Sequence, residues 1–165
     1  MSNPKFSVAV ITQVGLVAAV YAALTVLLAP FSYGAVQVRI AEALMLLCCC
    51  RKRWCIALSI GCLIANLFSG MPTDILFGTL ATVIAAVLMY RIRKPVIAAF
   101  VPAVVNGLIV GAQLCLLCDM SFALAFLGVA AGEVIAVVLI GLPLYYGVMR
   151  SAAVRRLIDP EERKA

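Results

Sequence analysis

Nine side chains able to hold a small polar solute stand in or beside otherwise apolar stretches: Gln37, Arg39 and Glu42 in "GAVQVRIAEAL" (34–44), then Asn66, Phe68, Asp74, Asn106, Gln113 and Glu133. An ionisable residue at the centre of a membrane helix costs roughly 2.5–3.5 kcal/mol on insertion scales, so each one needs a partner, a cavity or a task. A carboxylate accepts paired hydrogen bonds from neighbouring N–H groups, an amide side chain both donates and accepts, and a guanidinium only donates. Together with aromatic faces for stacking (Phe68, with Tyr33 and Phe77), this set describes a pocket for a small, polar, planar solute.

Some of these residues also have plainer readings. Glu133 lies near the middle of the last apolar segment, with Phe126, Ala130, Val137 and Ile140 at helical steps from it, and a buried amide partner would serve it as well as a ligand would. Asp74 starts a helix with Gly78 and Thr82 on the same face, where a carboxylate also caps and complements the helix dipole. Arg39 and Glu42 are three apart, the spacing of a local ion pair. Asn106 and Gln113 are seven apart and share one helix face.

The elements that must position these groups are membrane helices. Of 165 residues, 66% are hydrophobic and 12% charged, far from the composition of a soluble domain. Roughly 20 apolar residues cross a hydrocarbon core, fewer where protein surrounds the helix. Six segments qualify: 8–28, 39–50, 54–69, 74–90, 96–118 and 121–149, separated by Pro, Gly and basic punctuation. The expectation is an all-α integral membrane protein of six transmembrane helices, with residues 1–150 as a substrate-binding bundle and 151–165 as a solvated tail. The start has neither a strongly basic region nor a small-residue cleavage site, so the first apolar segment is expected to stay as a span.

Charge sets the orientation. With six spans, Lys5, 51–53, Arg91, Arg93, Lys94, Arg150, Arg155, Arg156, Arg163 and Lys164 fall on one side, leaving Arg39 alone opposite. The positive-inside rule makes that side, with both termini, cytoplasmic. The net charge of +6 is thereby a matter of topology and lipid contact, which removes nucleic acid as a partner.

The chain has no histidine, the commonest general base and metal ligand, and no P-loop to cradle ATP. Energy for uphill transport would have to come from an ion gradient or another subunit. Cys48, Cys49, Cys50, Cys55 and Cys62 lie in or beside helices, where cysteine behaves as a small hydrophobe; Cys115-Leu-Leu-Cys118 is a lone C-x-x-C and a weak metal or redox signal. No metal and no cofactor is expected. Small residues recur at four-residue spacing in Ala18/Ala22, Ala19/Ala23, Gly107/Gly111 and Gly128/Gly132, which lets helices approach closely. The glycine pairs suit packing within the bundle; the alanines of the first helix suit that or a surface for another membrane subunit.

"VQVRIAEAL", "ANLFSGMPTDILFGTLAT" and the Gly132-Glu133 helix resemble the QueT family over about residues 8–150. These are substrate-binding S components of energy-coupling factor (ECF) transporters that import queuosine precursors. The resemblance implies an S-component bundle in the bacterial cytoplasmic membrane, a deazaguanine such as 7-aminomethyl-7-deazaguanine or queuine bound near the outer face, and no enzymatic activity. It also implies docking to a transmembrane T component and two ATPases through Ala18, Ala19, Ala22 and Ala23, and a gate in the loop 30–38. On this reading Glu133 takes the guanine-like edge and Asp74 or Glu42 the ammonium group. Asn66, Asn106, Gln113 and Arg39, with Gln37 beside them, read carbonyl and ring nitrogens, and Phe68 stacks. The rivals are an S component for another vitamin or purine and a standalone transporter in which Glu133 carries a coupling proton. A membrane enzyme is disfavoured by the missing histidine and the lack of a nucleophile constellation.

Overall fold

A computed structural model describes residues 8–32 and 38–158 of the chain, and its regular structure among them is entirely helical. The chain opens with α1 (Val8–Leu27) and a single turn, α2 (Ala29–Ser32). A 3₁₀ helix (Ile40–Cys49) leads to α3 (Lys52–Asn66). A 3₁₀ turn (Pro72–Ile75) runs into α4 (Phe77–Ile92), and the short α5 (Pro95–Ala98) into α6 (Val101–Leu117). The last long helix is composite: α7 (Phe122–Glu133), a π-helical stretch (Val134–Gly141) and α8 (Leu142–Met149), followed by α9 (Ala152–Ile158).

Four stretches are long and apolar enough to cross a membrane: Val8–Leu27, Pro72–Ile92, Pro95–Leu117 and Phe122–Met149. They make this a multi-pass helical membrane protein. The two other segments expected to span are shorter. α3 has 15 residues, and the segment after the first loop, expected as an ordinary helix over 39–50, is a ten-residue 3₁₀ helix. At about 2.0 Å rise per residue against 1.5 Å for an α-helix, 3₁₀ winding stretches ten residues to about 20 Å. Packing accounts for the winding. Leu44, Leu47 and Cys50 are only partly buried, at a spacing of three, while the stripe Glu42, Met45 and Cys48 is fully buried. Side chains three apart eclipse in a 3₁₀ helix, so one narrow stripe stays at the surface while α1, α3, α4, α8 and the π-helical stretch enclose the rest.

Small residues bring the elements together. A Cβ on Gly61 of α3 would lie 2.8 Å from the Ala18 carbonyl oxygen and 2.9 Å from Tyr21 Cβ of α1. Gly107 and Gly111 of α6 receive Phe126 of α7, as the helix-packing reading of that pair expects. The buried face of α1 is Ala18, Tyr21, Ala22 and Thr25, so of the two alanine pairs Ala18/Ala22 packs inward, while Ala19 and Ala23 stay exposed. Of the four alanines expected to dock a partner subunit, Ala18 and Ala22 are thus enclosed by the bundle and Ala19 and Ala23 are the exposed pair.

The basic loops gather at one end of the bundle, where Arg51, Lys52, Arg53 and Arg93 share a cavity. The C-terminal helix, expected as a solvated end, folds back there: Trp54 Nε1 donates to the Ile158 carbonyl at 3.1 Å, and Arg53 donates to the Leu157 carbonyl at 2.5 Å. Asn66, at the end of α3, and Asp74, just before α4, lie toward the opposite end.

Candidate functional site

Seven of the sequence-selected polar residues are buried: Arg39, Glu42, Asn66, Asp74, Asn106, Gln113 and Glu133. They come from the 3₁₀ helix and its N-cap, the end of α3, the turn before α4, the inner face of α6 and the last residue of α7. They form three linked groups.

In the first, Tyr21 of α1 donates its hydroxyl hydrogen to Glu42 Oε1. In the second, Asn106 Nδ2 donates to Glu133 Oε1 across the α6–α7 interface. In the third, Gln113 Nε2 donates to Asp74 Oδ1 at 2.6 Å and to Thr73 Oγ1 at 2.9 Å, and Asn66 Nδ2 donates to the Asp74 carbonyl at 2.9 Å and Thr79 Oγ1 at 3.1 Å. The helix that follows Asp74 carries no side-chain cap, so its carboxylate serves Gln113 rather than a helix terminus.

Arg39 and Cys62 join the groups. Arg39 Nη1 lies 4.0 Å from Cys62 Sγ, and that sulfur also accepts from Asn66 Nδ2 at 3.4 Å and meets Thr82 Oγ1 at 3.2 Å. The guanidinium is close enough to interact electrostatically with both Glu42 and Glu133. Gly78 makes room: a Cβ there would stand 3.0 Å from Asn66 Nδ2 and 3.8 Å from Arg39 Nη1. One cation thus sits among carboxylates from different elements, an arrangement beyond the local Arg39–Glu42 pair.

The chemical character of the site lies in what these bonds leave over. Each amide nitrogen faces an acceptor, which fixes the amide orientation and turns the carbonyl oxygens to other uses. Five buried oxygens, Glu42 Oε2, Asn66 Oδ1, Asn106 Oδ1, Gln113 Oε1 and Glu133 Oε2, have no hydrogen-bond partner among the described residues. A buried unsatisfied group costs about 1–3 kcal/mol, and five together rival the ~5–15 kcal/mol of net stability of a typical folded domain. Such a cluster suits a guest rich in N–H donors.

Gln37 and Tyr33, and with them much of the expected gate 30–38, lie outside the described residues. Phe68 is 66% exposed beyond the end of α3 and is not brought into the cluster; Phe77 is 37% exposed. Sequence reasoning passed over Tyr21 and the threonines at 73 and 79, read Cys62 as a small hydrophobe, and used Thr82 only to mark the face of Asp74. The signal for Tyr21 was its place with Ala18, Ala22 and Thr25 on one helical face, a polar interruption in a stripe that otherwise reads as packing. None of the seven cysteines forms a disulfide; Cys48, Cys49, Cys55 and Cys62 are buried.

A multi-pass helical bundle enclosing a carboxylate-bearing, acceptor-rich polar site is the architecture of a membrane transporter for a small solute. Residues 11–150 match the model of the QueT transporter family, and the chain belongs to that family. Over 76 residues it is 37% identical to the "Queuosine precursor transporter QueT" of Lactococcus lactis subsp. cremoris. That stretch covers 45% of this chain and 45% of the relative, so the match spans less than half the length of either. No solved structure matches the chain.

Proposed function

We propose that this protein is the substrate-binding S component of an ECF-type importer and that its cargo is a queuosine precursor of the deazaguanine class. The observation that carries the substrate class is the set of five buried acceptor oxygens, on Glu42, Asn66, Asn106, Gln113 and Glu133, that lack a partner among the described residues. A deazaguanine offers the complement: adjacent ring N–H and amino donors on one edge, a further ring N–H, an ammonium group in the aminomethyl form, and a carbonyl oxygen for the guanidinium. Glu133 takes the guanine-like edge through paired hydrogen bonds, while Glu42 or Asp74 takes the cation. Asn66, Asn106 and Gln113 accept the remaining donors. The family membership and the relative's name support the same substrate.

In this reading the 3₁₀ helix and α3 complete six spans, both termini face the cytoplasm, and the membrane is the bacterial cytoplasmic membrane. Arg51–Arg53, Arg93 and α9 gathering at one end support this orientation under the positive-inside rule. Ala19 and Ala23, exposed on α1 in line with Gly15, form the face for the T component, which two ATPase subunits energise.

The test is thermal unfolding of the purified protein with 7-aminomethyl-7-deazaguanine, queuine, guanine and unrelated vitamins, since a ligand that binds only the folded state raises its stability by RT ln(1 + [L]/Kd). A selective shift with deazaguanines, lost in Glu133→Gln, is the expected result. A shift from an unrelated vitamin alone would replace the substrate, and uptake by the chain alone in proteoliposomes, without ATPases, would replace the ECF assignment with a proton-coupled transporter.

A further inference from the structure

Two adjoining cavities at the basic end of the bundle fall outside the solute site. One, of about 250 Å³, is lined by Cys50, Arg51, Lys52, Arg53, Tyr90 and Arg93. The other, of about 410 Å³, runs between α3 and α4, with Ile56, Ile60, Val83 and Val87 as its apolar walls and Lys52, Tyr90 and Arg91 at its mouth. Lys52 and Tyr90 line both, so the two cavities share a wall. Five basic residues surround the junction, and no acidic residue is among those lining either cavity.

The shapes and chemistry differ in the way the two ends of an amphiphile differ. From Lys52 to Ile60 the groove follows α3 for about 12 Å at 1.5 Å per residue, long enough for the first part of an acyl chain. Its walls are exposed in the protein, with Ile56 50%, Ile60 42%, Val83 37% and Val87 44% accessible, so they face the hydrocarbon of the bilayer. The basic cavity lies where the lipid headgroups begin. Arg93 adopts a left-handed backbone conformation (φ 55°) as it ends α4, stacks its guanidinium 4.9 Å from the Tyr90 ring centre and donates to the Tyr90 hydroxyl at 3.1 Å. Arg53 is held over Trp54 at 4.5 Å. Two of the guanidinium groups are therefore placed by the fold rather than left to wander in solvent, which reduces the entropy lost on meeting a phosphate.

We propose that this composite site binds one anionic phospholipid, with the phosphate among Arg51, Lys52, Arg53, Arg91 and Arg93 and an acyl chain in the α3–α4 groove. The guanidinium groups offer paired donors to phosphate oxygens, and the groove shields methylenes that a free anion would lack. Because α9 is hydrogen-bonded to Arg53 and Trp54, the occupied site also braces the C-terminal helix against the start of α3.

Native mass spectrometry of the detergent-solubilised full chain, with phosphatidylglycerol, phosphatidylcholine or inorganic phosphate added at equal concentration, tests it. The expected result is a retained one-to-one phosphatidylglycerol adduct, at least several-fold more abundant than the phosphatidylcholine adduct. Arg51→Gln with Arg93→Gln lowers its occupancy roughly 10- to 30-fold, on the basis of about a factor of five per juxtamembrane charge. Ser59→Phe fills the groove without touching the charges and also lowers retention, whereas Arg156→Gln on exposed α9 leaves it unchanged. Equal retention of both lipids, or a phosphatidylglycerol adduct that survives the double replacement, would overturn the site. Displacement of the lipid by inorganic phosphate at equal concentration, or indifference to Ser59→Phe, would overturn the lipid in favour of a free-anion site.

Discussion

Asn106 on α6 and Glu133 at the end of α7 are joined by a hydrogen bond that occupies the amide nitrogen of one and a single oxygen of the other. Asn106 Oδ1 and Glu133 Oε2 remain buried and without a partner among the described residues. The pair is half-satisfied, which is how a site must be built if its second half is a ligand. Just beyond it the helix winds into the π form, a local rearrangement often found at functional positions.

Glu133→Gln keeps the shape and leaves an oxygen to accept from Asn106 while removing a buried charge. The unliganded protein is expected to melt at the same temperature or higher, while deazaguanine affinity falls about 10- to 100-fold, the equivalent of losing charge-assisted hydrogen bonds of about 1.5–3 kcal/mol. Melting curves with and without ligand separate the two effects.

Tyr21→Phe removes the donor to Glu42 and leaves both carboxylate oxygens of a fully buried residue unpartnered by that hydroxyl. The expected loss of stability is about 1–3 kcal/mol. In Tyr21→Phe with Glu42→Gln the loss is smaller than the sum of the single changes, since the second removes the charge that the first stranded; a double-mutant cycle in mild detergent measures the coupling.

Gly61→Ala places a methyl carbon 2.8 Å from a backbone oxygen of α1, so the helices must separate. A cost of about 1–3 kcal/mol is expected, together with weaker solute binding because Tyr21 rides on the same contact. Gly15→Ala, where a Cβ meets nothing within 4 Å, is the control and leaves both unchanged.

Ala22→Leu and Ala19→Leu differ by less than one turn and are expected to act in opposite ways. Ala22 is buried against the bundle, so the larger side chain lowers the melting temperature. Ala19 is exposed, so the fold and ligand shift stay intact while co-purification with the T component is lost. Retained co-purification with Ala19→Leu would remove α1 from the proposed docking face.

Trp54→Phe deletes the hydrogen bond to the Ile158 carbonyl that holds α9. Faster tryptic cleavage after Arg155 and Arg156, with an unchanged ligand shift, is the expected outcome, because the solute site lies toward the other end of the bundle.

Much of the site was legible because charge inside an apolar segment is conspicuous. Glu133, Asp74 and Arg39 stand out on composition alone, and the seven-residue spacing of Asn106 and Gln113 puts both on one helix face, which the structure buries. Phe68 shows the limit of that reasoning. It is aromatic and close in sequence to Asn66, but it lies past the last turn of α3, where helix periodicity no longer says which way a side chain faces. Tyr21 shows the opposite failure, a polar group read as part of a packing stripe.

Hydropathy and the placement of basic residues by themselves determined that this chain is a helical membrane protein and where its polar groups fall along it, because these are properties of short windows of sequence. Which alanines face inward, that 40–49 winds as a 3₁₀ helix and that Glu133 precedes a π-helical stretch were decided only in the tertiary structure. Tertiary structure also decided that Asn106 meets Glu133 while Gln113 meets Asp74. The reason is physical: a few ångströms of helix rise, or one side chain per turn more or less, depend on how neighbouring helices close on one another. Contacts between residues 27 or 39 positions apart carry that information, and no local pattern does.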